Sequence, residues 1–334
     1  MTGRQTVLVT GGAGYIGSHA VLALRDAEFE VVVLDNLSTG QQCLIAEDVS
    51  LVVGDIGDQE LIRRIVTSHQ IKAVMHFAGS AVVAESTMRP LDYYQNNTVK
   101  SHALIQSCVD AGVENFIFSS SAAVYGIPDI LPVDENVPTR PINPYGSSKL
   151  MTEWILRDVG AVHALNYVSL RYFNVAGADP LSRTGQSTPN ATHLIKVACE
   201  VAIGLRPAMS IYGVDYNTPD GTCIRDYIHV TDLATAHVLA LQYLRAGGAS
   251  TILNCGYGRG YSVREVLSAV AAVAGSELAT IVGPRRPGDP PELVANVNRI
   301  KHVLGWCPRY DALDVIVQSS LDWERRARLV RIVI

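Results

Sequence analysis

The chain has 334 residues, of which 48% are hydrophobic and 18% are charged, and its formal net charge is −5. A chain of this length can bury a large core, either as one large domain or as two tightly joined ones. The composition is typical of a soluble globular enzyme. The negative charge and the lack of a long basic run argue against nucleic acid or an acidic membrane as the main partner.

Several features predict a cytoplasmic protein. The six cysteines are scattered and form no CxxC pair, which is typical of reduced, mostly buried thiols. The first strand pattern begins within a few residues of Met1, which leaves no room for a signal peptide. No apolar run is long enough to span a bilayer. The tail RRARLVRIVI is basic and then apolar, and an extension that is packed on the surface or disordered is favoured over a membrane anchor.

The first half of the chain alternates short apolar runs with helical patterns. Strands are predicted at Thr6–Thr10, Glu30–Asp35, Ser50–Asp55, Lys72–Gly79 and Glu114–Ser120. Helices are predicted from the first strand through Leu24, at Gln59–Ser68 and at Pro90–Ala111. This order predicts an α/β fold with a doubly wound parallel sheet of the Rossmann type and helices on both faces. Right-handed crossovers then bring the C-terminal ends of the strands to one edge, where ligands of such sheets bind.

After Asn174 the pattern loosens into polar loops that contain glycine and proline. A helix is predicted at Thr192–Ile203, and the strand TILNCG precedes another helix at Ser262–Ala274. We expect a Rossmann-type domain at residues 1–175, to which the chain returns at about 228–255. Residues 176–334 are predicted to form mainly a smaller, mixed α/β lobe.

A glycine-rich turn follows the first strand. In TGGAGYIG, Gly11 permits the tight turn, Gly14 lets the backbone approach a pyrophosphate, and Gly17 lets helix and strand pack closely. Asp35 ends the second strand, where a carboxylate accepts hydrogen bonds from a ribose 2′-hydroxyl and repels a 2′-phosphate. The turn and the acid together favour NAD over NADP. The alternative is a tight packing turn with an aspartate that caps a helix.

The stretch NPYGSSK places Tyr145 four residues before Lys149 at a predicted helix start, so the two side chains share one face. An ammonium group near a phenol lowers the phenol pKa, which would make Tyr145 a usable base. The apolar stripe of this helix is predicted at Leu150, Met151, Trp154 and Ile155. Spacing alone leaves open a solvated surface pair. Ser121, in SSSAAVYG after the fifth strand, is predicted to lie at the same ligand edge, although serines also end strands without any chemical role.

Taken together, these motifs resemble a known family. TGGxGxIG, Ser121 and YxxxK match the extended short-chain dehydrogenase/reductase superfamily. The stretches HFAGSAVVAES, YYQNN, LRYFNVAGADP, DGTCIRDYIHV and RRPGDPPELVA narrow the resemblance to the UDP-glucose 4-epimerases, also called UDP-galactose 4-epimerases. The resemblance runs from about Val7 to Trp306.

The resemblance implies an NAD-dependent isomerase of galactose and nucleotide-sugar metabolism. Tyr145 would take the proton of the sugar 4-hydroxyl while C4 is oxidised, and the resulting 4-keto sugar would turn and be reduced on its other face. Ser121 would relay the proton, and Lys149 would bind the nicotinamide ribose and depress the phenol pKa. The family is usually homodimeric, which implies a homodimer here.

The resemblance also implies the residues of two binding sites. The positions that match the family's NAD site are Gly11, Gly14, Tyr15, Ile16, Gly17, Asp35, Asn36, Asp55, Ile56, Phe77, Ala78, Gly79, Asn96, Ser119, Tyr145, Lys149 and Phe173. The positions that match the UDP-sugar site are Ser121, Tyr145, Asn174, His193, Leu194, Tyr212, Arg225, Arg286, Asp289 and Leu293. The two arginines suit a diphosphate. The alternatives are an ion pair with Asp226 for Arg225 and a solvated position for Arg286.

This chain departs from the family pattern at four positions. Ala81 stands where some members have lysine, Ala123 where some have threonine, and Lys196 where proline is common. The size of the residue at position 293 is associated in the family with acceptance of N-acetylated UDP-hexosamines. Leu293 is intermediate in size and leaves that acceptance open.

Other functions fit the sequence less well. A sugar-nucleotide 4,6-dehydratase needs an acid and a base directly after the reactive serine, where this chain has Ala122 and Ala123. An epimerase that prefers UDP-pentoses or UDP-N-acetylhexosamines stays open. A non-catalytic NAD-binding regulator would not need Ser121, Tyr145 and Lys149 together. His229 and His237 lack the HExxH spacing of a zinc site, so no metal is implied.

Overall fold

The computed structural model describes residues 5–286 and 288–333, with side chains through residue 327. Its strands are β1 (Thr6–Thr10), β2 (Glu30–Asp35), β3 (Ser50–Val53), β4 (Ala73–His76), β5 (Asn115–Ser119), β6 (Asn166–Tyr172), β7 (Asn174–Ala176), β8 (Met209–Tyr212), β9 (Ile224–His229), β10 (Thr251–Cys255), β11 (Gly260–Ser262), β12 (Thr280–Gly283) and β13 (Glu292–Leu293). Its α-helices are α1 (Tyr15–Asp26), α2 (Gln59–Ser68), α3 (Val83–Met88), α4 (Pro90–Tyr93), α5 (Lys100–Asp110), α6 (Pro144–Gly160), α7 (Leu194–Ala202), α8 (Val230–Arg245), α9 (Val263–Ala274), α10 (Asn298–Leu304) and α11 (Leu313–Val333).

Seven strands form one sheet in the order β10-β6-β5-β4-β1-β2-β3. Every neighbouring pair is parallel. The central strand β1 is covered on both faces, since Val7, Leu8 and Val9 are all fully buried. Val7 and Val9 belong to the core that includes α1 and α8, whereas Leu8 faces the core that includes α2 and α5. The predicted doubly wound α/β class is therefore confirmed.

The strand order reverses between β1 and β4, which are neighbours although two strands separate them in the chain. Such a reversal opens a crevice at the C-terminal edge of the sheet. The glycine-rich turn lies at this point, between β1 and α1. The topology thus places this turn, Gly11–Gly17, where open α/β sheets bind their ligands. We call this turn the glycine cradle, because the sequence predicts that it binds a pyrophosphate.

The second lobe is smaller and mixed. Strand β9 lies between β11 and β13 and also pairs with β7, while β8 and β12 form a separate two-stranded sheet. Helices α7, α9 and α11 share a core through Ile195, Val270 and Leu321. Strand β10 belongs to the large sheet, so the chain leaves this lobe and returns to the first one.

Some predicted boundaries differ from the structure. The helix expected at Pro90–Ala111 is interrupted by a π-helical turn at Tyr94–Val99. The tail expected to be a surface extension or disordered continues as α11 through Val333, and the side chains after residue 327 lie outside the described part. No helix among the described residues has the length and apolar character needed to cross a bilayer.

Candidate active site

The turn between β1 and α1 has room for backbone only. Gly11 adopts a φ of 72°, and a Cβ there would lie 2.5 Å from the nitrogen of Ala78. A Cβ on Gly17 would lie 2.1 Å from the carbonyl oxygen of Gly11. Gly14 caps α1 without any side-chain hydrogen bond, and a Cβ there would meet only the Gly11 oxygen, at 3.3 Å. The helix start therefore presents free N–H groups to an approaching anion, and the cradle fits a dinucleotide pyrophosphate.

Asp35 is tied to this turn. Its two carboxylate oxygens accept hydrogen bonds from the backbone nitrogens of Ala13, at 2.9 Å, and Leu37, at 2.8 Å. The carboxylate is buried, and each oxygen keeps a further lone pair. The residue is therefore placed to receive ribose hydroxyls next to the phosphate cradle. It does not cap a helix, as the alternative interpretation of the sequence required.

Asp55, at the end of the next strand, is held by a lysine. Lys100 Nζ donates to it at 2.6 Å, Asn36 Nδ2 at 3.2 Å and the Gly57 nitrogen at 2.8 Å. Burial alone would raise the pKa of Asp55, but these hydrogen bonds more than offset burial and lower the pKa. The carboxylate is thus kept ionised as an acceptor at the rim of the site.

The other predicted NAD-site residues follow the strand ends. Tyr15 and Ile16 on α1 follow β1, Ile56 follows β3, Phe77, Ala78 and Gly79 follow β4, Ser119 ends β5, Phe173 follows β6, and Asn96 lies on the π-helical turn. Tyr15 is a special case, because its hydroxyl donates to the Gly177 carbonyl at 2.6 Å. Its side chain therefore contacts the smaller lobe, and its backbone belongs to the cradle.

Helix α6 begins as the sequence predicts. Asn143 accepts a hydrogen bond from the Gly146 nitrogen at 2.8 Å, and Pro144 occupies the first turn. Tyr145 and Lys149 are 7% and 5% exposed, so they do not form a solvated surface pair. The predicted buried stripe is wrong at Trp154, which is 46% exposed. The face that carries Tyr145 and Lys149 packs against the sheet, and the tryptophan consequently points outward.

Lys149 contacts the C-terminal end of β5. Its Nζ donates to the Ser119 carbonyl at 3.0 Å and lies 5.1 Å from the centre of the Phe118 ring and 6.0 Å from that of Tyr145. Burial lowers the pKa of Lys149 to about 8. The group is therefore still mostly charged at neutral pH.

The Ser121 hydroxyl is the polar side chain that acts on the Tyr145 phenol and lowers its pKa. Ser121 Oγ also accepts from the Ala123 nitrogen at 3.2 Å and so caps the short 3₁₀ turn Ala122–Tyr125. Burial raises the pKa of Tyr145, and Ser121 lowers it by less. The expectation of a lowered phenol pKa is therefore not met by the protein groups, because burial outweighs the polar contacts.

Asn97 is a residue of the site that the sequence did not single out. Its Oδ1 accepts from the Ser80 nitrogen at 2.7 Å, and its Nδ2 donates to the Ser80 carbonyl at 2.9 Å and to Ser148 Oγ at 3.1 Å. Asn97 therefore joins the loop after β4 to α6. Its neighbour Asn96 bonds to Ser80 Oγ at 3.0 Å. The paired asparagines in YYQNN were the available signal, and the π-helical turn directs both side chains to this loop.

In the smaller lobe, two arginines meet at one aspartate. Arg225 Nη2 lies 3.3 Å from Asp289 Oδ1, and Arg286 Nε lies 3.6 Å from Asp289 Oδ2. The Arg286 guanidinium also stacks 4.3 Å above the centre of the Tyr212 ring. This group of four residues combines two cations with one flat aromatic face, which suits a nucleoside diphosphate.

Asp226 is not the partner of Arg225. Its carboxylate accepts from the backbone nitrogens of Tyr257 and Gly258, each at 2.8 Å. Adjacent residues of a strand point to opposite faces, so Arg225 and Asp226 diverge. The alternative of an Arg225–Asp226 ion pair is wrong, and Arg286, although half-exposed, is paired as well.

The remaining predicted substrate residues lie in two places. Asn174 on β7 and Leu293 on β13 both lie on strands that pair with β9, and Leu293 is in register with Arg225. His193 and Leu194 lie at the start of α7, where His193 lines a cavity with Tyr15 and Gln186. In the described part of the chain, no hydrogen bond joins these residues or the arginine group to Tyr145.

Lys196 has a structural role. It is buried on α7 and forms ion pairs with Glu200, at 3.1 Å, and with Glu324 of α11. It thus ties the C-terminal helix to the smaller lobe. His229 and His237 also make structural contacts: His229 bonds to Ser319 Oγ at 3.0 Å, and His237 to the Leu233 carbonyl at 2.9 Å. Among the described residues, no three His, Cys, Asp or Glu side chains group as metal ligands would.

Comparisons with known proteins show the family of this chain. Residues 7–256 match the model of the NAD dependent epimerase/dehydratase family. A UDP-glucose 4-epimerase of Azospirillum brasilense is 60% identical over 319 residues, which cover 96% of this chain and 92% of that protein.

Solved structures give the same result. A UDP-glucose 4-epimerase of Brucella ovis in complex with NAD is 43% identical, with a TM-score of 0.92 over 95% of this chain and 98% of that one. The UDP-Glc/GlcNAc 4-epimerase of Campylobacter jejuni is 44% identical, with a TM-score of 0.84 over 96% of this chain and 99% of that one. Because the family model matches residues 7–256 and the Azospirillum brasilense relative is 60% identical over 96% of this chain, the chain belongs to the NAD dependent epimerase/dehydratase family.

Proposed function

We propose that the protein interconverts UDP-galactose and UDP-glucose with tightly bound NAD. The observation that carries the proposal is the burial of Ser121, Tyr145 and Lys149 as one group at the ligand edge of the sheet, next to the glycine cradle. The names of the relatives above support the same reaction.

NAD would be held by groups of this chain that fit it. The cradle at Gly11–Gly17 would receive the pyrophosphate, Asp35 the adenosine ribose, and Lys149 the nicotinamide ribose. When bound, NAD supplies a reversible hydride acceptor for C4 of the sugar. No net oxidation results from the full cycle, which is consistent with a cofactor that need not leave.

Tyr145 would hold the transferred proton. Its phenolate takes the proton of the 4-hydroxyl as C4 is oxidised to the 4-keto sugar, and the phenol returns it after the sugar has turned. Ser121, which acts on the phenol and lowers its pKa, would relay the proton and orient the substrate hydroxyl. Because burial alone raises the phenol pKa, the positive charges of Lys149 and of the cofactor ring must lower it for this work.

The arginine group of the smaller lobe would bind the diphosphate. Arg225 and Arg286 are both held near Asp289, so a diphosphate that enters would compete with one carboxylate for two guanidinium groups. Tyr212, 40% exposed, offers its ring beside the base. Asn174, His193, Leu194 and Leu293 would complete the sugar and nucleotide contacts.

The nearest alternative reaction is disfavoured by the structure around Ser121. A 4,6-dehydratase would need an acid and a base at positions 122 and 123. Ala122 and Ala123 place methyl groups there, within the 3₁₀ turn, and Ala122 is buried. The elimination of water therefore has no proton donor at these positions.

We also propose a division of labour and a dimer. Residues 1–175, with the return at about 228–255, would bind NAD, and residues 176–334 mainly the UDP-sugar.

Apolar side chains of the α3–α6 region are exposed: Met88 (75%), Leu91 (79%), Val99 (50%) and Trp154 (46%). We infer that this face joins two copies. The free thiols, of which Cys43 and Cys307 are exposed, suit the reducing cytoplasm.

The test of the reaction is direct. Purified protein is incubated with UDP-galactose without added cofactor, and the products are resolved by chromatography. UDP-glucose is expected. Its absence even when NAD is supplied would contradict the proposal, and a 4-keto-6-deoxy sugar would indicate a dehydratase. A panel with UDP-N-acetylglucosamine and UDP-xylose defines the substrate range.

The dimer has its own test. Trp154→Glu places a charge in the exposed apolar face and is expected to convert a dimer to a monomer in light scattering coupled to size exclusion. Glu60→Gln, at an exposed position on α2, serves as the control. A wild-type protein that is already monomeric would contradict the proposal.

A further inference from the structure

Three consecutive serines at the end of β5 each contact a different residue of α6. The Ser119 carbonyl accepts from Lys149 Nζ at 3.0 Å, and the Ser121 hydroxyl acts on the Tyr145 phenol, whose pKa it lowers. Ser120, between them, donates its hydroxyl to Glu153 Oε1 at 2.5 Å. The three α6 residues are spaced by four, so one helix face meets one segment at three successive positions.

Of these three contacts, the Ser120–Glu153 hydrogen bond is the one without a role in the proposed reaction. Glu153 is 2% exposed and is held by Arg171 of β6, whose Nε and Nη2 donate to its two oxygens at 2.9 Å and 2.6 Å. Arg171 Nη1 also donates to the Tyr125 hydroxyl at 3.0 Å, and its guanidinium lies 4.9 Å from the centre of that ring. Tyr125 ends the 3₁₀ turn that Ser121 begins. The ion pair therefore contacts the Ser121 segment at two points, before and after the reactive serine.

A buried ion pair is weak evidence for stability, since removing two charges from water costs about as much as their attraction returns. Its fixed, bidentate geometry does define position. Misplacement of reacting groups by about 1 Å can cost about 100-fold in rate. We propose that Glu153, held by Arg171, is a positioning residue: through Ser120 it keeps Ser121 within hydrogen-bond reach of Tyr145. This inference rests on the proposed epimerase reaction for its kinetic consequence but not for its geometry.

Two variants test the proposal. Ser120→Ala removes the contact to the segment and leaves the Glu153–Arg171 pair intact, so it should fold. Glu153→Gln removes the charge that holds Arg171 and keeps an oxygen that can still accept from Ser120. Ser107→Ala is the matched control, because among the described residues its equally buried hydroxyl bonds to the Ala103 carbonyl of its own helix α5. We expect kcat to fall about tenfold in Ser120→Ala and about 100-fold in Glu153→Gln, with KM for UDP-galactose and NAD content unchanged. The control should keep wild-type kcat.

A second measurement separates positioning from general structural damage. Displacement of Ser121 removes a contact that favours the phenolate, so the NMR titration midpoint of the Tyr145 ring should rise in both variants but not in the control. The signal is assigned in tyrosine-labelled protein by comparison with Tyr145→Phe, and no substrate is needed. The acid limb of the kcat profile should move to higher pH in parallel. If wild-type protein made no UDP-glucose, the proposed reaction would fail while this titration still decided the positioning role. Unchanged titration and kcat within about twofold of wild type in Ser120→Ala would overturn it.

Discussion

The two halves of the proposed site are built differently. Around Ser121 and Tyr145 the polar groups are buried and satisfied by the chain itself, as in the ion pair of Glu153 and Arg171. In the smaller lobe, Asp289 and Arg286 are partly exposed and are held by longer contacts of 3.3 Å and 3.6 Å. The chemical centre is thus pre-organised, whereas the anion site keeps exchangeable ion pairs. Rate should depend on the first region and affinity on the second.

The largest effect is expected in the buried region. Tyr145→Phe removes the proton carrier and should lower kcat by about 10²- to 10⁴-fold, because general acid–base groups contribute on that order. NAD content, measured after denaturation, should stay at the wild-type level. Tyr167→Phe is the control. Tyr167 is similarly buried, but it lies near the N-terminal end of β6, away from the ligand edge of the sheet. Full activity of Tyr145→Phe would refute its assignment as the base.

The anion site should respond in KM instead. Arg286→Ala removes one charged donor to the diphosphate and should raise KM for UDP-galactose by about 10- to 100-fold, with a much smaller change in kcat. The neighbouring Arg285 pairs with Asp215 and stacks on Tyr216, so Arg285→Ala is a matched control. Equal effects of the two variants would show that Arg286 has no special role.

Acid should destabilise the buried region. Burial lowers the pKa of His76 to about 3, with a further contribution from Lys149. In the unfolded state His76 binds a proton below its ordinary pKa, whereas in the folded state it stays neutral down to about pH 3. The free energy of unfolding therefore falls as pH drops from the ordinary histidine pKa towards about 3. At about pH 5 the loss amounts to about 2 kcal/mol for such a residue.

The acid-induced loss of stability can be measured at His237, a buried histidine in a less polar position. Burial lowers the pKa of His237 to about 4, and within the described part of the chain its Nε2 has no hydrogen-bond partner. Urea unfolding of His237→Gln at neutral and acidic pH should show a smaller loss of stability than the wild type. An identical loss would place the acid sensitivity elsewhere.

The smallest effect is expected at Leu293, which lies beside Arg225 and is buried. Leu293→Gly should raise the ratio of kcat/KM for UDP-N-acetylglucosamine to kcat/KM for UDP-galactose by about tenfold. Leu293→Tyr should lower the same ratio by about tenfold, because adding or removing a few carbons in a pocket changes discrimination on about that order. Parallel changes for both sugars would show that Leu293 does not select among them.

Local patterns predicted much of the first region. The apolar run before TGGAGYIG indicated a buried strand that enters a helix, and Asn143 with Pro144 indicated a helix start; both are found. The same patterns failed where the environment decided the outcome. Trp154 fits an apolar helix stripe but is half-exposed, since α6 turns its Tyr145 face to the sheet. Helix periodicity did not predict the π-helical turn at Tyr94–Val99, whose asparagines bond to Ser80 in the loop after β4.

Short-range periodicity and backbone sterics predict the fold class, the glycine-rich turn, the acidic residue after β2 and the Tyr145–Lys149 spacing. Long-range packing settles the rest: Tyr145 and Lys149 are buried, Arg225 faces Asp289 and not Asp226, and Glu153 contacts Ser120. These outcomes depend on which strand ends and helix faces the long crossovers bring together. Burial then reverses the direction of a pKa shift that spacing alone predicts.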